Sequence, residues 1–92
     1  MFFQDSRKYI MKLIRIQRYL IRKGFRRADH KQVVEAITTI ENQLQYFQYA
    51  SDDKMRGFID RNHDRIKTLI PNENYPGYQK LMNEFINLQK QY

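Results

Sequence analysis

The chain has 92 residues and no cysteine, so it accommodates one domain, residues 1–92, and excludes disulfide staples, thiolate metal sites and a cysteine nucleophile. With 41% hydrophobic and 14% aromatic residues there is material for one core, which argues against wholesale disorder. The net charge of +7 is concentrated: residues 1–31 carry ten Lys or Arg against Asp5 and Asp29, whereas residues 32–92 carry seven against eight acids. A surplus of one sign in one segment bears on partners rather than on fold.

The spacing predicts a first helix over about residues 6–23, with Asp5 or Ser6 as N-cap and Gly24 as the C-terminal stop. Tyr9, Ile10, Leu13, Ile14, Ile16, Leu20 and Ile21 fall on one side of it. Arg7, Lys8, Lys12, Arg15, Arg18, Arg22 and Lys23 fall on the other, with Met11 and Tyr19 as apolar intruders among the cations.

A second helix, about residues 30–49, follows Asp29, and Gln32 completes a capping-box-like pair with it. Val33, Ile37, Ile40, Leu44 and Phe47 step by four and three, the seam of a bundle helix. A third helix over residues 52–70 begins after Ser51 or at Asp52 and is stopped by Pro71. Met55, Ile59, Asn62, Ile66 and Leu69 repeat the seam, widened by Phe58 and Ile70. Gly57 inside it implies a close helix approach.

The turn Asn72-Glu73-Asn74-Tyr75-Pro76-Gly77 precedes a last helix over about residues 76–90, with Tyr78, Leu81, Met82, Phe85 and Ile86 on its apolar face. No sustained two-residue alternation signals strands. Short connections favour an all-α fold, an antiparallel up-down four-helix bundle; the alternative is a three-helix core with the first helix detached.

Catalytic chemistry finds no support in the residue pattern. His30 and His63 lie in different segments and outside any metal-ligand spacing. Asp60, His63 and Asp64 cluster on the third helix, but Arg56, Arg61, Arg65 and Lys67 surround them, so an ion-paired solvated face is expected. The three glycines form no phosphate-cradling loop. The expectation is a protein that is not an enzyme, with no metal, no cofactor and no small-molecule substrate.

The basic helix is the sharpest feature, since Arg7 to Arg27 contains nine basic residues and no acid. Lys8, Lys12, Arg15, Arg18, Arg22, Lys23, Arg26 and Arg27 are the candidate partner-binding residues. Three partners fit them: an anionic membrane surface, nucleic acid with Tyr9, Tyr19 and Phe25 stacking on bases, or an acidic protein surface. The plain alternative is a solvated outer face. Tyr46 and Tyr49, flanking Phe47, are expected to cover the end of the bundle. No apolar run approaches the ~20 residues that span a bilayer. Met1-Phe2-Phe3 leads straight into Gln4-Asp5-Ser6, unlike a cleavable signal. Location is therefore expected to be cytoplasmic, with the membrane periphery as the place where a basic face would act.

Size, charge and helix count give the chain a likeness to a known family, joined in sequence by Tyr19-Leu20-Ile21-Arg22-Lys23 before a turn and Leu44-Gln45-Tyr46-Phe47 at the end of the second helix. It resembles the cytosolic immunity proteins that accompany pediocin-like bacteriocins in lactic acid bacteria. That resemblance implies a small antiparallel four-helix bundle, without catalytic residues, that protects the producing cell near its membrane. The chain departs from the family in carrying its positive charge earlier and more densely.

Overall fold

The structure is a computed structural model that describes residues 3–91, with side chains from 6 to 88. Five α-helices stand among the described residues: α1 Phe3–Arg22, α2 His30–Leu44, α3 Asp52–Arg61, α4 His63–Thr68 and α5 Tyr78–Gln91. No strand occurs among them. The protein is all-helical.

Helix α1 begins before the expected cap. Asp5 and Ser6 both lie within it, and Ser6 is fully buried. Ser6 shares an arc with Tyr9, Ile10 and Leu13, so packing rather than a cap fixes the first turns. The Asp5 side chain lies outside the described residues. At the other end Gly24, at φ +85°, closes a paired hydrogen-bond stop: Phe25 N–H donates to Leu20 O and Gly24 N–H to Ile21 O, both at 3.0 Å. A side chain at Gly24 would meet no steric neighbour, but the left-handed backbone favours glycine there.

The capping box at α2 does not form. Asp29 makes no side-chain cap bond; its carboxylate instead takes the Arg27 guanidinium at 2.7 Å, a charge-assisted contact stronger than a bond to a neutral N–H. Helix α2 also ends earlier than its seam suggests, at Leu44, and continues as a 3₁₀ turn over Gln45–Phe47. The Leu44 carbonyl accepts from Arg7 at 2.7 Å, which satisfies a helix-end acceptor and lets the last turn tighten.

The expected third helix is two helices joined at Asn62. That residue sits at φ −108°, ψ 17°, and is almost fully buried. Its amide donates to Phe58 O at 3.0 Å and to Gln43 Oε1 at 2.9 Å, tying the bend to α2. A polar side chain at a seam position thus finds its partners by bending the helix. At Ser51 the expected N-cap forms, accepting from Lys54 N–H at 3.4 Å. Gly57 is not a helix–helix contact: a Cβ there would meet only Arg61 of the same helix, 3.0 Å from Nη1. Helix α5 starts at Tyr78, two residues late, because Gly77 at φ +92° precedes its first turn and its carbonyl accepts from Leu81 N–H.

The core joins all the segments. Ile10 and Leu13 of α1, Val33 and Ile40 of α2, Met55 and Phe58 of α3, Ile66 of α4, and Leu81, Phe85 and Leu88 of α5 are buried. The detached first helix is therefore excluded. Ile86, expected on the apolar face of α5, is exposed, and Leu88 is buried in its stead. Helix α2 packs chiefly on α4, and α1 packs on α2, in a body of 37 × 26 × 17 Å.

Candidate anion-binding face

Successive residues of α1 turn by ~100°, which sorts its side chains into two arcs. Arg18, Met11, Arg22, Arg15, Lys8, Tyr19, Lys12 and Lys23 follow one another around an arc of about 140°, and all eight are exposed. Ile16, Tyr9, Leu20, Leu13, Ser6, Gln17, Ile10, Ile21, Ile14 and Arg7 fill the remainder, and none of these is exposed. From Lys8 to Lys23 the exposed row runs about 22 Å at ~1.5 Å per residue.

The eight candidate cations are not equivalent. Lys8, Lys12, Arg15, Arg22 and Arg26 are exposed and make no ion pair with a described carboxylate. Lys23 lies over the Tyr19 ring, 5.8 Å from its centroid, an arrangement that steadies the half-exposed Tyr19. Arg18 donates to Glu41 of α2, an ion pair between partly exposed side chains.

Arg27 stands apart from this face. Its side chain is 25% exposed, and its Nη1 donates to Thr68 O at 2.8 Å and Ile70 O at 2.9 Å while Nη2 holds Asp29. It closes the C-terminal end of α4, where the helix dipole favours a cation. Arg7 does the same for α2. Gln17, 1% exposed, donates to Leu69 O at 2.9 Å and completes the closure of α4. Three side chains of the basic segment thus cap other helices. A polar residue on the apolar arc was the available sequence signal for Gln17; Arg7 and Arg27 gave none.

On its other flank α1 is fastened by Tyr9, whose hydroxyl donates to Leu81 O at 2.8 Å. Burial, and secondarily the Glu84 carboxylate, push the Tyr9 phenol well above its ordinary range, so it stays a neutral donor.

Two open depressions adjoin the basic row. One, of about 270 Å³, lies between α1 and α2 and is lined by Arg7, Met11, Ile14, Arg15, Arg18, Glu41, Leu44 and Gln45. The other, about 610 Å³, continues past Arg15 and Arg18 to Ile21 and Arg22. A third cavity, about 360 Å³, sits at the corner between Phe25, Arg26 and the Pro71–Pro76 turn.

Tyr46 and Tyr49 do not cover the bundle end. They are exposed, because the chain tightens to a 3₁₀ turn there and only Phe47 turns inward, against Phe58 at 4.9 Å between ring centroids. Among the described residues no three His, Asp or Glu side chains gather where a metal could sit. His63 approaches Asp64 at 3.9 Å and packs against Phe85, and the Asp64 side chain is fully exposed. No described helix is long and apolar enough to cross a membrane. The chain matches no protein-family model, no curated protein and no solved structure.

Proposed function

We propose that this protein is a non-enzymatic binding protein that lays the basic face of α1 on an anionic membrane surface, as an immunity protein of the pediocin-associated type would at the cytoplasmic side. One observation carries the reading: the exposed arc of α1 holds six cations, Met11 and Tyr19, and no carboxylate. Lysine and arginine stems reach toward headgroups while Met and Tyr rest at the headgroup level, and a straight row on a helix meets a plane along its whole length. The same reading treats α3 and α4 as one helix bent at Asn62. Backbone bonds running through the bend support it, from Asn62 N–H to Phe58 O and from Ile66 N–H to Asn62 O, and the reading then takes the chain as an antiparallel bundle of four segments.

Nucleic acid is the second reading. It is favoured by Phe25, 65% exposed beside Arg26, and by Tyr19 beneath Lys23, which offer rings for base stacking.

The experiment is a titration against vesicles of equal parts phosphatidylcholine and phosphatidylglycerol, and against short DNA and RNA. The variant combines Lys12→Gln, Arg15→Gln and Arg22→Gln. At about 1 kcal/mol per basic residue near an anionic surface, vesicle affinity falls on the order of a hundredfold. Its melting temperature stays within about 2 °C of wild type, as these side chains support no packing. Vesicle binding unchanged in the triple variant would overturn the assignment of this face. Binding to nucleic acid but not to vesicles would replace the membrane with the second reading.

A further inference from the structure

We propose that the groove between α1 and α2 seats one anionic phospholipid headgroup, and that Glu41 occupies the anion position of that seat while it is empty. This rests on the membrane reading of α1 and goes beyond it by naming a site within a face. The groove differs from the rest of the basic row in its floor. Ile14 and Leu44, both buried, and the half-buried Ile21 line it, with Met11 at the rim. Arg15, Arg18 and Arg22, three and four residues apart, line it from the exposed arc of α1, with their Cα atoms within about 11 Å along the axis. An apolar floor under a guanidinium rim has the polarity of a glycerophospholipid: the phosphodiester fits planar two-pronged donors, and glycerol and upper acyl carbons fit the floor. A hydrated inorganic ion would use the rim and gain nothing from the floor.

Glu41 supplies the second, independent observation. Among the described residues it is the one carboxylate lining either depression, and it already receives Arg18 across the groove. The pair is exchangeable, for the two side chains are 54% and 39% exposed and such pairs contribute little to stability. A phosphodiester entering the groove replaces the carboxylate on Arg18 and meets Glu41 as a like charge. Glu41 therefore weakens binding, and its removal strengthens it. A gain of binding is a result that a damaged fold does not produce.

The test uses the full chain and vesicles of phosphatidylcholine with an equal part of phosphatidylglycerol. Glu41→Gln is expected to raise affinity about two- to fivefold, the size of a freed surface ion pair. Glu35→Gln, which removes the same formal charge from an exposed position of α2 outside the groove, is expected to raise it less than half as much. Equal gains from the two would reduce the effect to net charge and overturn the seat while leaving the membrane reading intact; so would no gain from Glu41→Gln. Arg18→Gln is expected to cost more affinity than Lys8→Gln outside the groove, and equal losses count against the seat. Met11→Gln is expected to lower the binding that survives high salt, and unchanged high-salt binding would count against lipid carbons entering the groove past the Met11 rim. Inorganic phosphate is expected to compete no better than chloride at matched ionic strength; specific competition by phosphate would reassign the groove to a free oxyanion. Failure of the wild type to bind these vesicles at all would remove the membrane reading and the seat together.

Discussion

Arg27→Met separates the structural cations of the basic segment from the exposed ones. Methionine keeps the stem of the side chain and removes the guanidinium, leaving the carbonyls of Thr68 and Ile70 without their donor and Asp29 without its partner. A hydrogen bond from a charged group contributes about 1.5–3 kcal/mol. The two carbonyl bonds share Nη1 and are not additive, and Asp29 is partly exposed, so its pair adds only a few tenths. The expected loss is about 2–3 kcal/mol, against about 5–14 kcal/mol for a domain of this length. At roughly 4–8 °C per kcal/mol the melting temperature falls by about 8–24 °C. Thermal and urea denaturation, followed by circular dichroism, measure it, with Arg26→Met as the comparison because Arg26 is exposed and its side chain makes no capping bond. A melt for Arg27→Met within about 2 °C of wild type, or equal losses in the two variants, would refute the capping role and return Arg27 to the binding face.

Gly57→Ala is expected to stabilise the protein by about 0.5–1 kcal/mol through helix propensity, raising the melting temperature by about 2–8 °C. The methyl group meets only the Arg61 guanidinium of an exposed side chain, which swings aside; a drop in melting temperature would show that Arg61 is held in place. Tyr9 sets an alkaline limit. Its folded phenol binds its proton more tightly than the unfolded one, so this contribution is whole below about pH 10 and is lost as pH rises beyond it. Tyr9→Phe is expected to be less stable at neutral pH, having lost the bond to Leu81 O, and to show a shallower decline above pH 10; parallel alkaline declines in the two proteins would contradict the buried, neutral phenol.

Much of this architecture was legible in the sequence because it depends on neighbours along the chain. The three-and-four spacing of Val33, Ile37, Ile40 and Leu44 is the geometry of a helix turn, and those residues are buried. Gly24 and Ser51 act through backbone groups within four residues of themselves. The exposed arc of α1 followed from the same periodicity, so Lys8, Lys12, Arg15, Arg18, Arg22 and Lys23 stand on the surface where the pattern placed them.

Tertiary structure decided what long side chains do with their charge. Arg7 reaches a carbonyl 37 residues away, Arg27 one 41 residues away and Gln17 one 52 residues away, and no local pattern distinguishes Arg27 from Arg26. The bend at Asn62 and the Arg18–Glu41 pair arose in the same way. A helix period states which way a side chain points, whereas the partner it finds depends on which other helix end is packed beneath it. Capping residues, and the floor of the groove, therefore became visible only once α1 was packed on α2 and the end of α4 was brought within reach of Gln17 and Arg27.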